Sequence, residues 1–333
     1  MNRQSIVVCA TLLSLAGGVF SLPTAATPRP ASAPAIENSA AYQFVTYKSS
    51  VLGYDRTYGI SLPPGYNEHP EQRYPVIFLL HGGHGTPNDW FEKGKALATI
   101  QALYDEGKLP PSIIITPDGY DQRGTSRYYD PAYVDGADGE MDTAIGDELV
   151  RVVQSRYRTL PAPQYWAIGG LSSGGWGALN IGLHHADRFS VLFSHSGYFR
   201  DRSGSYNSPM LYVNNIPTPL KHQLRVYLDA GRRDGRYLSS TEQFHEVLTE
   251  QGVLNVFNTF EGGHGSGGVD TGWQYWRKHL ADSLTFVGAQ FRATQFMEVA
   301  RRSTQAAPSS ADAVTQFNRI GNAKAATPAI GQR

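Results

Sequence analysis

Ser172 lies in Gly170-Leu171-Ser172-Ser173-Gly174, directly after the apolar run Tyr165-Trp166-Ala167-Ile168. A serine hydroxyl is a weak nucleophile until a positioned base takes its proton. The pattern Gly-x-Ser-x-Gly between a strand and a helix sets the serine on a sharp, strained turn. The glycines are steric requirements, since the turn brings backbones too close for a Cβ. Gly174-Gly175-Trp176-Gly177-Ala178-Leu179 then reads as a helix start with small residues facing a sheet. The pentapeptide alone also fits an ordinary glycine-rich turn, so its chemistry depends on its partners.

In such elbows the chain order is Ser, then Asp or Glu, then His. After Ser172, the run Leu224–Leu228 leads into Asp229-Ala230-Gly231-Arg232-Arg233-Asp234-Gly235. Asp229 follows the strand at once and reads as its cap; Asp234 stands further into the loop and is the stronger candidate acid, although Asp-Gly is also a common turn pair. The run Val253–Phe260 leads into Glu261-Gly262-Gly263-His264-Gly265, whose glycines let His264 project from a tight loop as base. Upstream, His81-Gly82-Gly83-His84-Gly85 follows Val76–Leu80, the place for an oxyanion-binding backbone N–H. The second N–H falls to Ser173, the residue after the nucleophile. His81 precedes Ser172, against the expected order, and is assigned to bracing its loop. His69, His184, His185, His195, His222, His245 and His279 read as surface or packing residues, with His184-His185 complementing a helix C-terminus. They are not spaced as a metal site, and neither metal nor cofactor is expected.

The elements that must position these groups alternate along the chain. Tyr42–Tyr47 and Tyr54–Leu62 alternate polar and apolar residues, as an antiparallel pair at a sheet edge does. Val76–Leu80 and Ser112–Thr116 are continuous apolar runs, as buried parallel strands require. Tyr165–Ile168, Val191–Ser194, Leu224–Leu228 and Val253–Phe260 complete the strands. Asp142–Arg156 has helical spacing, and Gly272–Phe286 places Trp273, Trp276, Leu280 and Leu284 on one helix face. The alternation predicts an α/β fold, a doubly wound and mostly parallel sheet with helices on both faces. Catalytic groups of such sheets gather at the carboxyl ends of strands.

The chain has 333 residues, 17% charged and 41% hydrophobic, with zero formal net charge. That balance gives no electrostatic footprint for nucleic acid or an anionic membrane. Arg3, the apolar stretch Ser5–Phe20 and the small residues Thr24-Ala25-Ala26 read as a signal peptide over 1–26. The apolar stretch is shorter than the about 20 residues a spanning helix needs. The expected protein is therefore secreted, periplasmic or in the cell envelope, with no integral membrane segment once processed. Cys9, the single cysteine, lies in that leader, so the mature chain has no disulfide and no thiol nucleophile. Residues 27–41 read as a disordered Pro/Ala-rich leader, 42–291 as one α/β domain, and 292–333 as a low-complexity tail. Tyr120–Tyr133, with Arg123, Arg127, Tyr128 and Tyr129, reads either as a pocket rim or as a packed loop. Arg232, Arg233 and Arg236 stand near the acid, either as anion-binding groups or as solvated charges.

At these residues the chain resembles the putative-esterase family of α/β-hydrolases. That family includes S-formylglutathione hydrolase (esterase D), feruloyl esterase modules, enterochelin-esterase-like proteins and the antigen 85 mycolyltransferases. The resemblance runs over about 42–284. It is carried by Leu62-Pro63-Pro64-Gly65-Tyr66, Tyr74-Pro75-Val76, His81-Gly82-Gly83, Asp89-Trp90, Gly170–Gly175, Phe189-Ser190, Ser196-Gly197, Gly231–Asp234 and Gly262-Gly263-His264. It implies an α/β-hydrolase fold with Ser172 as nucleophile, Asp234 as acid and His264 as base, and with oxyanion N–H groups on Gly83 and Ser173. It also implies hydrolysis of a small-molecule or glycan-linked ester, with small acyl or feruloyl-type groups favoured. A mycolyl-type acyltransferase and a non-catalytic surface-binding domain are the alternatives. Two departures stand out: Ser173 where the family often has Met, and Gly265-Ser266-Gly267-Gly268 before the next aromatic.

Overall fold

In a computed structural model, which describes residues 41–125, 129–265 and 268–306, the domain is built around an eight-stranded sheet. The regions read as signal peptide and leader, the tail beyond 306, and Arg127 and Tyr128 lie outside the described residues. The strands are β1 (Tyr42–Lys48), β2 (Asp55–Ser61), β3 (Val76–Leu80), β4 (Ile113–Pro117), β7 (Trp166–Leu171), β8 (Val191–His195), β9 (Arg225–Gly231) and β10 (Leu254–Phe260); β5 (Asp135–Gly136) and β6 (Gly139–Glu140) form a separate small hairpin. The order across the sheet is β1-β2-β4-β3-β7-β8-β9-β10. β1 and β2 are antiparallel to each other, and β2 is antiparallel to β4, whereas every pair from β4 to β10 is parallel.

The parallel strands β3, β4, β7 and β8 are buried at every residue. The apolar runs within them are therefore a consequence of cover on both faces. In β8, Ser194 faces the helix Ser173–His184: an ideal Cβ on Gly175 would lie 2.5 Å from its Oγ. His195, the next residue, points to the opposite face and reaches Ser283 of the helix Trp273–Ala306 at 3.0 Å. That closing helix continues twenty residues past Phe286. It buries Trp276, Leu280, Leu284, Val287 and Phe291, after which Phe296, Met297 and Val299 are exposed. Ala, Gln, Arg and Met sustain a helix without an apolar face, so the hydrophobic pattern ends before the helix does. The helical run Met141–Arg156 carries a π turn at Ala144–Glu148. Glu148 reaches back to the β1–β2 turn, where it accepts bonds from Ser49 Oγ (2.5 Å), Ser50 N and Oγ (2.6 Å each) and Val51 N (3.2 Å).

Winding reverses at β3 and β7. From β3 the chain moves to β4 on one side, and from β7 it moves to β8 on the other. The loops leaving β3 and β7 therefore diverge and open a crevice at the carboxyl end of the sheet, where ligands of doubly wound folds bind.

Candidate active site

Ser172 occupies the end of β7 in the crevice, with φ 54° and ψ −120°. A non-glycine residue there is strained, and neighbouring contacts hold it. Its N–H donates to the His195 carbonyl at 2.9 Å, and its carbonyl accepts from Trp176 N–H at 3.0 Å as the helix begins. An ideal Cβ on Gly170 would lie 2.5 Å from the Gly174 carbonyl oxygen, and one on Gly174 would lie 2.6 Å from the Leu80 carbonyl oxygen. Both are backbone obstacles that no side-chain rotation removes, which is the physical reason for glycine at these two places.

His264 Nε2 stands 2.8 Å from Ser172 Oγ, and its Nδ1 stands 2.9 Å from Asp234 Oδ1. An ionised carboxylate only accepts, so Nδ1 carries the proton and Nε2 faces the serine hydroxyl as acceptor. Asp234 is buried and accepts four bonds. On Oδ2 they come from Ser196 Oγ (2.6 Å) and Gly231 N (2.9 Å); on Oδ1 they come from the Nδ1–H and the backbone N–H of His264. Burial alone would push the Asp234 carboxyl up, but the bonds from His264 and Ser196 outweigh it and hold it below the ordinary carboxylate value. The His264 ring has Tyr237 stacked on it at 3.9 Å between centroids, and Trp276 meets it edge-on at 5.3 Å. Trp276 supplies the aromatic that the glycine-rich stretch after His264 separates from it in sequence.

The loop leaving β3 lies against the elbow. A Cβ on Gly82 would come 3.4 Å from Ser172 Cβ, and one on Gly83 would come 3.7 Å from Ser173 Oγ and collide with the Asp130 carboxylate. His81 is buried beneath the loop, donating from Nδ1 to the Gly82 carbonyl (3.0 Å) and accepting the Gly119 N–H on Nε2 (3.1 Å). Burial pushes its pKa down, in keeping with that neutral, single-proton arrangement. Tyr133 Oη donates to the His81 carbonyl at 2.8 Å, and Trp90 Nε1 donates to Leu80 O at 2.9 Å. The backbone N–H groups of Gly83 and Ser173 thus belong to two segments packed against each other beside Ser172.

Other sequence candidates take different places. Asp229 is not a strand cap: it is buried within β9, bonded to His195 Nδ1 (2.7 Å) and Tyr275 Oη (3.0 Å). His195 and Ser283 complete a fully buried group with it. His184 and His185 do more than end a helix, because both bond the buried Asp142 carboxylate. Burial acts to push the Asp142 carboxyl up, yet these two bonds prevail and lower it. In the Tyr120–Tyr133 segment, Tyr120 and Tyr133 are core residues and Arg123 is paired with Asp121 (2.6 Å) and Asp138 (3.3 Å). These three pack as a loop, while Asp130 of the same segment lies beside Gly83 at the rim of the site. Arg232 pairs with Glu261 at 2.7 Å and Arg233 donates to the Val269 carbonyl at 2.6 Å. Sequence reasoning missed Ser196, Tyr237, Asp130 and Tyr198 as neighbours of the site. Of these, only Ser196 left a signal, in the Ser196-Gly197 pair.

A strained serine at the switch point of a doubly wound sheet, bonded through a histidine to a buried aspartate, defines the class: an α/β-hydrolase fold carrying a Ser-His-Asp constellation. The family model described as "Putative esterase" matches residues 49–287, and the chain belongs to that family. Among relatives, an acetyl esterase of Caldicellulosiruptor saccharolyticus is 25% identical over 64% of this chain and 82% of its own length. An endo-1,4-beta-xylanase/feruloyl esterase of Xylanibacter ruminicola is 28% identical over 44% of this chain and 20% of its own. The chain spans 59% of an uncharacterised Corynebacterium glutamicum relative that is 26% identical over 73% of this chain. A solved ferulic acid esterase superposes with TM-score 0.67 and 28% identity, over 75% of this chain and 98% of that one.

Proposed function

We propose that the protein is a secreted serine carboxylesterase acting on small acyl or feruloyl-type esters through an acyl-enzyme. The observation that carries the reading is the continuous chain Ser172 Oγ–His264 Nε2 and His264 Nδ1–Asp234 at 2.8 and 2.9 Å. Family membership and the similarity to an acetyl esterase and a ferulic acid esterase support ester bonds as the target. No helix among the described residues is long and apolar enough to cross a membrane. Export rests on the sequence of residues 1–26, and N-terminal sequencing of the exported chain tests it.

His264 Nε2 takes the Ser172 proton as Oγ attacks the ester carbonyl carbon. The carbonyl oxygen becomes an oxyanion, held by the N–H groups of Gly83 and Ser173, the latter also at the positive end of the helix Ser173–His184. Asp234 keeps the imidazole in its tautomer and stabilises the imidazolium. His264 then protonates the leaving alkoxide as the carbon–oxygen bond breaks. Water, deprotonated by the same nitrogen, attacks the acyl carbon and releases the acid, and the proton returns to Ser172. Ser172→Ala should reduce hydrolysis of 4-nitrophenyl acetate to near background, measured as nitrophenolate release by purified protein. Retention of most activity would place the chemistry elsewhere.

A further inference from the structure

Beside the elbow lies a cavity of about 430 Å³ lined by Asp130, Tyr198, Arg200, Asp201, Arg202, Arg236 and Tyr237. Its inner walls touch the residues assigned above to catalysis. Tyr237 stacks on His264, the Asp130 carboxylate abuts Gly83, and Tyr198 stacks on Trp176, four residues after Ser172. Its outer wall carries three guanidinium groups. None has a carboxylate within ion-pair distance among the described residues: Arg200 Nε donates to Met210 Sδ (3.1 Å), Arg236 donates to Tyr237 Oη (2.9 Å), and Arg202 bonds no described residue. Arg123, Arg188 and Arg232, by contrast, are each paired. Of the two carboxylates lining the cavity, Asp201 is turned into its own loop, where it accepts from Ser203 N (2.8 Å) and Oγ (2.5 Å). Asp130 remains at the inner end, next to the oxyanion loop.

Resting on the esterase reading, we propose that this cavity selects esters bearing a carboxylate remote from the scissile carbonyl, with Arg200, Arg202 and Arg236 as the selecting residues. The planar guanidinium fork matches a carboxylate in two parallel bonds. Asp130 repels a negative charge placed close to the carbonyl, so the polarity of the cavity favours an acid several bonds away. The three arginines are solvent-exposed, and contacts of this kind together amount to a preference of about tenfold, sensitive to salt.

The test compares kcat/KM for two pairs of nearly isosteric esters. One pair carries the charge on the acyl side, 4-nitrophenyl hydrogen adipate against its neutral adipamide counterpart. The other carries it on the alcohol side, 4-acetoxybenzoate against 4-acetoxybenzamide. A preference of about tenfold for the anionic member of either pair, falling toward unity in about 0.5 M salt, is the expected result. The pair that shows it tells which side of the ester occupies the cavity. Combined Arg200→Gln, Arg202→Gln and Arg236→Gln substitution should bring the ratio to within about twofold of unity, and Arg202→Gln alone, at a residue that bonds none of the described residues, should lower it part of the way. Ratios near one in both pairs, or a ratio that survives the triple substitution, would overturn the proposal while leaving the esterase reading intact. Hydrolysis of no ester by the unmodified protein would overturn the esterase reading and the selectivity with it.

Discussion

Ser196→Ala tests whether the acid of the site is held by design of the neighbouring strand. Ser196 is fully buried and Asp234 nearly so, and their hydrogen bond is 2.6 Å. A bond from a hydroxyl to a buried carboxylate is worth about 1.5–3 kcal/mol, and its loss leaves the anion short of a donor. In a domain of this size each kcal/mol corresponds to about 2–4 °C, so Tm should fall by about 3–12 °C. For catalysis, removing the charge of the triad acid costs about 10⁴ in kcat, or about 5.4 kcal/mol at 1.36 kcal/mol per decade. Ser196 supplies one of the four bonds that orient the carboxylate. A quarter of that energy is about 1.4 kcal/mol, a tenfold loss in kcat. Loss of the donor also lets the Asp234 carboxyl rise toward its ordinary value. The assay is kcat on 4-nitrophenyl acetate from pH 4 to 9, for Ser196→Ala and Ser196→Gly together. Ser196 has φ 52°, which glycine adopts freely. A tenfold loss in both variants assigns the effect to the hydroxyl. If glycine restores the rate, or alanine stays within twofold of the unmodified protein, the reasoning fails.

Three further perturbations follow from the geometry. Ser173→Ala keeps the backbone N–H and should retain activity within about tenfold, against near-background activity for Ser172→Ala; equal losses in nitrophenolate release would contradict the roles of the two serines. Gly174→Ala drives a Cβ into the Leu80 carbonyl, and soluble yield should collapse; a folded, active variant would show that the elbow has slack. Glu148 is pushed up by burial, but bonds from Ser49 and Ser50 prevail and lower its pKa. A depressed folded value means its contribution is present above about pH 4.3 and is lost as pH falls through the folded value. Urea midpoints should therefore drop steeply below about pH 4, and Glu148→Gln should lower the neutral plateau while flattening that drop.

Strand positions were legible because a buried parallel strand must be apolar on both faces, and runs such as Val76–Leu80 have no other economical explanation. The order of Ser172, Asp234 and His264 was legible because each follows a strand-like run, although the one before His264 is the edge strand β10, none of whose residues is fully buried. Asp229 and Asp234 show where one-dimensional reading stops. Both follow the apolar run Leu224–Leu228 in sequence, and what separates them is a neighbour on β8, His195, which takes Asp229 into the core. Tyr237 and Trp276 frame His264 from the starts of two helices, a meeting that no periodicity encodes. The closing helix outran its hydrophobic face because propensity can extend a helix where packing no longer requires one.

The buried group Asp229–His195–Ser283 repeats the residue types of the crevice, with spacings of 2.7 and 3.0 Å. All three side chains are sealed from solvent, and the Ser283 hydroxyl donates to the Leu280 carbonyl. The same three functional groups therefore occur twice in one domain, once as mortar and once at a surface where an electrophile can arrive. A serine-directed covalent probe meets this difference as site selectivity: it should modify Ser172 alone, and peptide mapping should find Ser283 untouched. On the reading proposed above, what sets Ser172 apart from Ser283 is its place on a strained, accessible turn rather than the identity of its partners.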